Sequence, residues 1–217
     1  MDNGSTAESR QIVLDELKNH EYLSIWLDKN YGFVKAVNLG IRNSSAEFVV
    51  LQNNDTEVTE EWLDRLLLPF ENDPLVMATG PLTDADGSWQ GWKNFKKMKM
   101  PDFPNLTESE KNQYSSILGE KYKNTNLEVN MIAFFCTVFR KRVFTELGML
   151  DESYGRGFCD DDDFCYRMRK NGFKILCVLS SFVFHHHRTT FKSLFTGEQI
   201  TKMQNDNLNI YKQKFGL

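Results

Sequence analysis

The chain has no run of about 18 apolar residues that could cross a bilayer, and its opening "MDNGSTAESR" holds no apolar stretch of the kind a signal peptide needs. It also lacks an excess of positive charge. With 26 Lys and Arg against 30 Asp and Glu, the net charge is −4, which argues against the basic footprint of a nucleic-acid binder. Cysteine is scarce and scattered: Cys136, Cys159, Cys165 and Cys177 form no CxxC pair, and their spacing suits neither a zinc site nor a disulfide-dense scaffold. Reduced thiols are expected, and internal repeats are absent. These absences predict a soluble, cytoplasmic protein with no nucleic-acid partner. Peripheral contact with the inner face of a membrane is compatible with these absences. The 217 residues do contain 41% hydrophobic residues and 17 Phe, enough for one domain with an ordinary core.

The order of patterns along the chain is that of an α/β protein. "DNGSTAES" is rich in turn formers and leads into "RQIVLDELKNH", whose Ile12, Val13, Leu14 and Leu17 suit one helix face. "EYLSIWLDKN" reads as a strand, "GFVKAVNLGIRNS" as a helix, and "AEFVVLQNNDTEV" as a strand running into a polar loop. In "TEEWLDRLLLPFEN", Thr59 is a candidate N-cap, and Trp62, Leu66 and Leu67 are spaced for a buried face. "PLVMATGPLTD" is a further strand, after which residues 84–126 turn polar and irregular, as an insertion or lid would. A strand and helix follow in "VNMIAFFCTVFRKRVFTELGMLDE", ending near Gly148, and another helix and strand in "DDDDFCYRMRKNGFKILCVLSSFVFHHH". The alternation predicts a largely parallel sheet, followed from about residue 191 by a helix-prone tail.

Three polar clusters fall at element ends. In "VVLQNNDTEV", Asn53, Asn54 and Asp55 arrive where the strand should stop, the place where α/β sheets collect ligands and where one carboxylate can meet a divalent cation. An ordinary Asn- and Asp-rich loop would look the same. Next, four adjacent aspartates, Asp160 to Asp163, open a helix. The macrodipole favours anions there, and successive side chains point in different directions, so only some of the four share a site. Such crowding raises carboxyl pKa values unless a cation or donor relieves it, whereas a merely solvated acidic turn is the plainer alternative. Phe164 and Tyr166 are positioned to anchor this segment to the core. In the third cluster, "FVFHHHRTTF", strand geometry keeps His185 and His187 off the face of His186, so one metal ligand at most is expected; a hydrogen-bonded structural histidine is the alternative.

"DNGST", "NYGFVKAVNLGI", "FVVLQNNDTEVTEEWLDRLL", "GMLDESYGRGFCDDDDFCYRMRKNGFKI" and "FVFHHHRTTF" together resemble, in order and spacing, the family 2 nucleotide-sugar glycosyltransferases of GT-A fold. The likeness covers nearly the whole chain and is weakest over residues 84–126. It implies a Rossmann-like, mostly parallel sheet flanked by helices in a single domain. Residues 1–83 would bind the nucleotide, 84–126 form a variable insertion or lid, 127–190 serve the acceptor and catalysis, and 191–217 form a C-terminal helical tail. Family members carry a strand, a helix and a second strand before "DNGS"; here Met1 directly precedes it, so the resemblance implies a sheet without those strands.

The resemblance also assigns residues. Asp55 would bind Mn²⁺ or Mg²⁺ bridging the donor diphosphate, while Asn53, where many members have Asp, and Asn54 beside it would contact the nucleotide sugar. His185 matches the metal-binding histidine; His187 and Arg188 replace the glycine and serine common after it. Asp161 matches the catalytic base, supported by Asp160 and Asp163, while Asp2 and Asn3 match the base-contacting loop and Asn30, Gly32 and Asn38 the nucleotide pocket. The implied activity is inverting transfer of a sugar from a nucleotide-diphosphate donor to a hydroxyl of a glycan, lipid-linked or protein acceptor, in cell-surface or other glycan synthesis. A degenerate nucleotide-sugar or glycan-binding module without turnover is the competing reading. A metal-dependent nucleotidyltransferase or phosphohydrolase fits the acidic-aromatic segment less well.

Overall fold

The computed structural model describes residues 1–84, 90–91, 106–186 and 194–217. Two strands without a polar face sit at its centre. Strand β3, Val76–Leu82, is buried at all seven positions, and β6, Lys174–His185, is buried over most of its length. A strand covered on both faces has no solvent side for a polar residue, hence the near-continuous apolar run in each. They pair in parallel. Strand β5, Cys136–Arg140, lies antiparallel to β3, and β1, Phe48–Gln52, lies antiparallel beyond it. Strand β2, Thr56–Val58, and strand β4, Asn126–Glu128, both pair antiparallel with β6, giving the order β1-β5-β3-β6-β2 with β4 off that path.

The sheet is therefore mixed, and β3 with β6 is the one parallel pair among the described strands. The sequence predicts a mostly parallel sheet, and β1 and β3 do run the same way. What alternation along the chain does not show is that β5, from a distant segment, inserts between them in the opposite sense.

Helices cover both faces. Helix α2, Phe33–Asn43, α5, Arg142–Leu147, and α6, Asp160–Lys170, share one core with Phe139 of β5; α3, Trp62–Asn72, packs on the other face with Val138. Adjacent β5 residues serve opposite faces because side chains alternate along a strand. On the first face Phe144 stacks on Phe164 with ring centroids 5.1 Å apart, and Phe139 meets Phe164 edge-on at 5.9 Å. Each such ring pair adds about 0.5–1.5 kcal/mol beyond its buried area. Helix α7, Gly197–Phe215, joins this face through Ile210 and Tyr211.

Several expectations are corrected. Helix α1, Ala7–Leu17, forms behind its N-cap Thr6, but no residue in it is buried, and Ile12 is 65% exposed, so its apolar stripe is not a core face. The segment read as a strand at 21–30 contributes only a bridge, Trp26 beside Asp2. Helix α3 is capped not by Thr59 but by Glu61 in the left-handed region; the Thr59 hydroxyl donates instead to the Phe182 carbonyl at 2.8 Å. Within the supposed irregular insertion, Glu108–Lys121 is an ordered helix, α4. Thr107 and Glu110 form its capping box, and Tyr114 and Leu118 bury it against Phe182 and its neighbours. The rest of the proposed lid, residues 85–89 and 92–105, lies outside the described residues, as do His187 and Arg188.

The chain between β1 and β2 shows how the sheet ends. Only Asn53, Asn54 and Asp55 separate them, a reach of roughly 15 Å, whereas four strand spacings would need about 19 Å. The last residues of β6 must therefore bend over the sheet to reach β2. They do so after a register break between Val178 and Phe182, held by Arg65, whose guanidinium donates to the Ser180 carbonyl at 2.8 Å.

Candidate active site

The bend delivers β6's last residue to the end of β1. His185 pairs with Thr56, its Nε2 lies 3.3 Å from Asp55 Oδ1, and both side chains are largely buried. The imidazole stacks on Phe135 with centroids 4.8 Å apart, and the His185 backbone N–H donates to Asp84 Oδ1 at 2.9 Å. Asn53 donates its N–H to the Phe135 carbonyl at 2.7 Å, Asn54 is exposed on the turn, and His186 is exposed beside Glu57. Adjacent ligands of an octahedral ion with bonds of about 2.1 Å sit about 3 Å apart, so Asp55 and His185 are spaced to share one cation. Among the described residues no third His, Cys, Asp or Glu joins them. A two-ligand protein set suits a Mg²⁺- or Mn²⁺-type ion that completes its shell with phosphate and water.

The acidic run opens α6 as predicted, and the four carboxylates divide by direction. Asp163 is fully buried: its Oδ1 accepts from Arg167 Nε at 2.6 Å, and its Oδ2 accepts from Tyr154 at 3.1 Å and Lys214 at 2.6 Å. It is a structural anion. Asp160 is also buried, while Asp161 and Asp162 are half-buried at the helix start. Burial, and then the charges of Asp162 and Asp163, push the Asp160 carboxyl up to about 7. Burial pushes Asp161 well above the carboxylate range, with Asp160 and Asp162 adding to it, and burial also raises Asp162. The sequence predicts raised proton affinity from like-charge crowding alone; in the fold, desolvation is the larger cause.

An aspartate that titrates near 7 when folded and near 3.8 when unfolded binds more protons folded between those values, so its contribution makes stability fall as pH rises through that window. The unfolding midpoint in metal-free buffer is expected to be higher at pH 5 than at pH 8. Asp160→Asn, measured by the same thermal scans, should flatten that slope, and a slope unchanged in the variant would reject the assignment.

Of the residues expected at the nucleotide, Asp2, Asn3, Asn30 and Gly32 form one cluster; Asn38 lies apart, and Asn53 and Asn54 sit on the turn beside Asp55. Asp2 Oδ1 accepts from the backbone N–H groups of Gly4 and Ser5 and from Arg10 Nε at 3.0 Å. Asn3 Nδ2 donates to Asn30 Oδ1 at 3.2 Å and to the Gly32 carbonyl at 3.0 Å, and Asn30 Oδ1 accepts from the Gly32 N–H at 2.9 Å. Asn38 is buried and braces α2 to the chain at Leu150, accepting its N–H at 3.1 Å and donating to its carbonyl at 2.9 Å. Gly32 has φ +93°, and a Cβ there would lie 2.6 Å from the Gly155 carbonyl oxygen. Gly32→Ala is expected to cost about 2 kcal/mol or more in urea unfolding, since the left-handed penalty alone is about 1–2 kcal/mol and backbone cannot yield like a side-chain tip.

That close approach joins the clusters. Residue 155 lies five positions before Asp160, so the Asn3, Asn30 and Gly32 cluster abuts the loop entering α6. On the other side, Phe134 meets Phe164 of α6 at 6.4 Å while its neighbour Phe135 stacks on His185. Helix α6 turns back into β6 through Asn171–Phe173, so its acidic start lies away from the turn that begins β6. Sequence reasoning missed Phe135, Tyr154, Asn207 and Lys214. The first two lie in runs that read as core or loop, and the last two lie on the polar tail helix, where no spacing marks them.

The mixed sheet flanked by helices is that of a GT-A glycosyltransferase fold. The chain matches the family model of Glycosyl transferase family 2 over residues 1–148, and it belongs to that family. It is 24% identical over 153 residues to poly-beta-1,6-N-acetyl-D-glucosamine synthase of Staphylococcus epidermidis, covering 70% of this chain and 34% of that protein. It is 22% identical over 198 residues to O-antigen biosynthesis protein RfbC of Myxococcus xanthus, covering 85% and 14%. The chain thus spans about a third or less of these relatives. Among solved structures it is similar to GalNAc-T7 with UDP, GalNAc and Mn²⁺ (TM-score 0.62, 22% identity, 85% of this chain and 36% of that one). It is also similar to the mannosyltransferase PcManGT of Pyrobaculum calidifontis with GDP-Man and Mn²⁺ (TM-score 0.58, 15% identity, 85% and 46%). No helix among the described residues is long and apolar enough to cross a membrane.

Proposed function

We propose that the chain transfers a sugar, with inversion, from a nucleotide-diphosphate donor to an acceptor hydroxyl on a glycan, a lipid-linked carrier or a protein. The observation that carries this reading is the Asp55–His185 pair, spaced to share one cation; the half-buried Asp161 at the start of α6, with its raised proton affinity, supports it. Asp55 and His185 would hold Mn²⁺ or Mg²⁺, whose charge, when the ion is bound, offsets the negative charge growing on the departing diphosphate. Asp161 would take the proton of the acceptor hydroxyl as its oxygen attacks the anomeric carbon from the face opposite the leaving group, which inverts that carbon. Its raised proton affinity favours that role at neutral pH. Asp160, whose charge adds to the shift at Asp161, would support it, and Asp163, fully paired, fixes the helix that carries both. Residues Asp2, Asn3, Asn30 and Gly32 would line the nucleotide side, where chain fixed by its own hydrogen bonds can meet a base without reordering. The domain division at 1–83, 84–126, 127–190 and 191–217 belongs to the same proposal.

A thermal-shift panel of UDP-GlcNAc and GDP-Man with Mn²⁺ or Mg²⁺, followed by donor turnover, tests the reading. Asp55→Ala is expected to weaken metal-dependent donor binding by about ten- to a hundredfold, since losing even an outer-shell partner typically costs that much. An unaltered metal requirement in the variant would remove Asp55 from the site. Donor binding without turnover in the unaltered chain would favour the binding-module reading instead.

A further inference from the structure

Helix α7 buries a single residue, and that residue is polar. Asn207 is 8% exposed, and its Nδ2 donates to three carbonyls, of Tyr154 at 2.9 Å, Gly157 at 2.6 Å and Phe158 at 3.1 Å. Those carbonyls belong to the loop that delivers the chain into the acidic start of α6. The loop is strained: Gly155, Gly157, Phe158 and Cys159 have φ of 58°, 125°, 70° and 63°. Two consecutive non-glycine residues in the left-handed region bring Cβ against backbone, and such geometry persists only where the surroundings over-determine it. Asn207 supplies that constraint at the carbonyls of Gly157 and Phe158, immediately before Cys159 and Asp160. An amide with two hydrogens meeting three carbonyls fixes both their spacing and their direction, which an apolar contact would not do.

We infer that Asn207 is a positioning residue for Asp161: through the Tyr154–Phe158 carbonyls it holds the left-handed turn that aims the first carboxylates of α6 into the site. The inference rests on Asp161 being the base. Helix α7 has other anchors, because Lys214 pairs with Asp151 at 2.5 Å and with Asp163, and Tyr211 and Phe215 pack on Tyr166. Replacing Asn207 therefore leaves the helix docked while freeing the turn.

The test compares the unaltered chain with Asn207→Leu, which keeps bulk without the donor, Asn207→Asp, which keeps the outline, and Asn207→Gln, which keeps the amide on a longer arm. The first readout is the ¹³C resonance of the Asp161 carboxyl, assigned through its loss in Asp161→Asn. The second is steady-state hydrolysis of UDP-GlcNAc or GDP-Man with Mn²⁺. In Asn207→Leu the resonance is expected to move, and kcat to fall about ten- to a hundredfold with donor KM unchanged, the scale of loss caused by a misplacement of about 1 Å. Asn207→Gln should recover part of both. If Asn207→Leu does not fold, the isosteric Asn207→Asp is read in its place. An unmoved resonance in a folded variant overturns the inference, and so does a moved resonance with unchanged kcat. Failure of the unaltered chain to turn over either donor would instead count against the transfer reading, and the resonance would still decide the role of Asn207.

Discussion

Asp161→Asn is expected to reduce donor turnover by about a hundred- to ten-thousandfold, the usual contribution of a positioned general base, while leaving donor binding within a few-fold of the unaltered chain. The separation follows from geometry. Asp161 stands at the start of α6, whereas the candidate cation pair and the nucleotide cluster are built on the β1–β2 turn, the end of β6 and the segments 2–4 and 30–32. Asparagine has the same outline and can still accept from the Asp162 N–H, as Asp161 Oδ1 does at 3.0 Å, so the helix start should survive. Only the capacity to take a proton is lost. Turnover of UDP-GlcNAc or GDP-Man at saturating donor, set beside the binding isotherm of the same preparation, checks both halves. A variant that turns over donor at the normal rate would eliminate Asp161 as the base, and one that loses binding in proportion would reassign it to the donor site.

Asp163→Ala is expected to lower stability by about 3 kcal/mol, at the lower end of the 3–5 kcal/mol typical of breaking a buried ion pair. The lower end applies because the partners are partly hydrated: the Arg167 and Lys214 side chains keep 17% and 32% of their exposure, while Asp163 keeps none. Alanine would leave two cations without their shared anion and the Tyr154 hydroxyl without its acceptor. For a chain of this length the melting temperature should drop by roughly 6–12 °C. Asp163→Asn retains hydrogen-bonding atoms and should lose less. Chemical denaturation of both variants decides the matter: a loss in Asp163→Ala well under 1 kcal/mol would show the anion to be dispensable. The expected result also explains why a fourth aspartate follows three others. It anchors α7 and the loop at Tyr154 to α6, a task separate from proton transfer.

The acid run illustrates what was legible in the sequence. A helix start was predictable from the residues alone, because four aspartates tolerate one another best at the positive end of a helix, and helical geometry ensured that they would not all face one way. Which one faces the site was not predictable. Asp163 is paired because Arg167 lies one turn on, as spacing suggests, but also because Lys214, 51 positions away, folds back beside it. Among the adjacent histidines the resemblance singles out His185, yet the bend in β6 that brings it to Asp55 is held by Arg65 of α3 at the Ser180 carbonyl, a contact between separate elements. The same limit explains the errors. A helical period in Ile12, Val13 and Leu14 predicts an amphipathic helix but cannot show whether anything packs against it. Strand alternation predicts strand direction but not the insertion of β5.

Local chemistry is written in the sequence because it depends on neighbours within a few positions: apolar runs with period 2 or 3.6, an acid-rich first turn, a polar stop after Leu51. Those patterns determined the α/β class, most of the elements and the residues able to do acid–base and cation chemistry. Only the tertiary structure decided which of those residues meet, how far burial raises Asp160 and Asp161, and that Asn207 grips the turn before them. Proximity across more than a hundred residues is set by the packing of whole elements, and desolvation is a property of everything surrounding a group, so neither is encoded in any one stretch of chain.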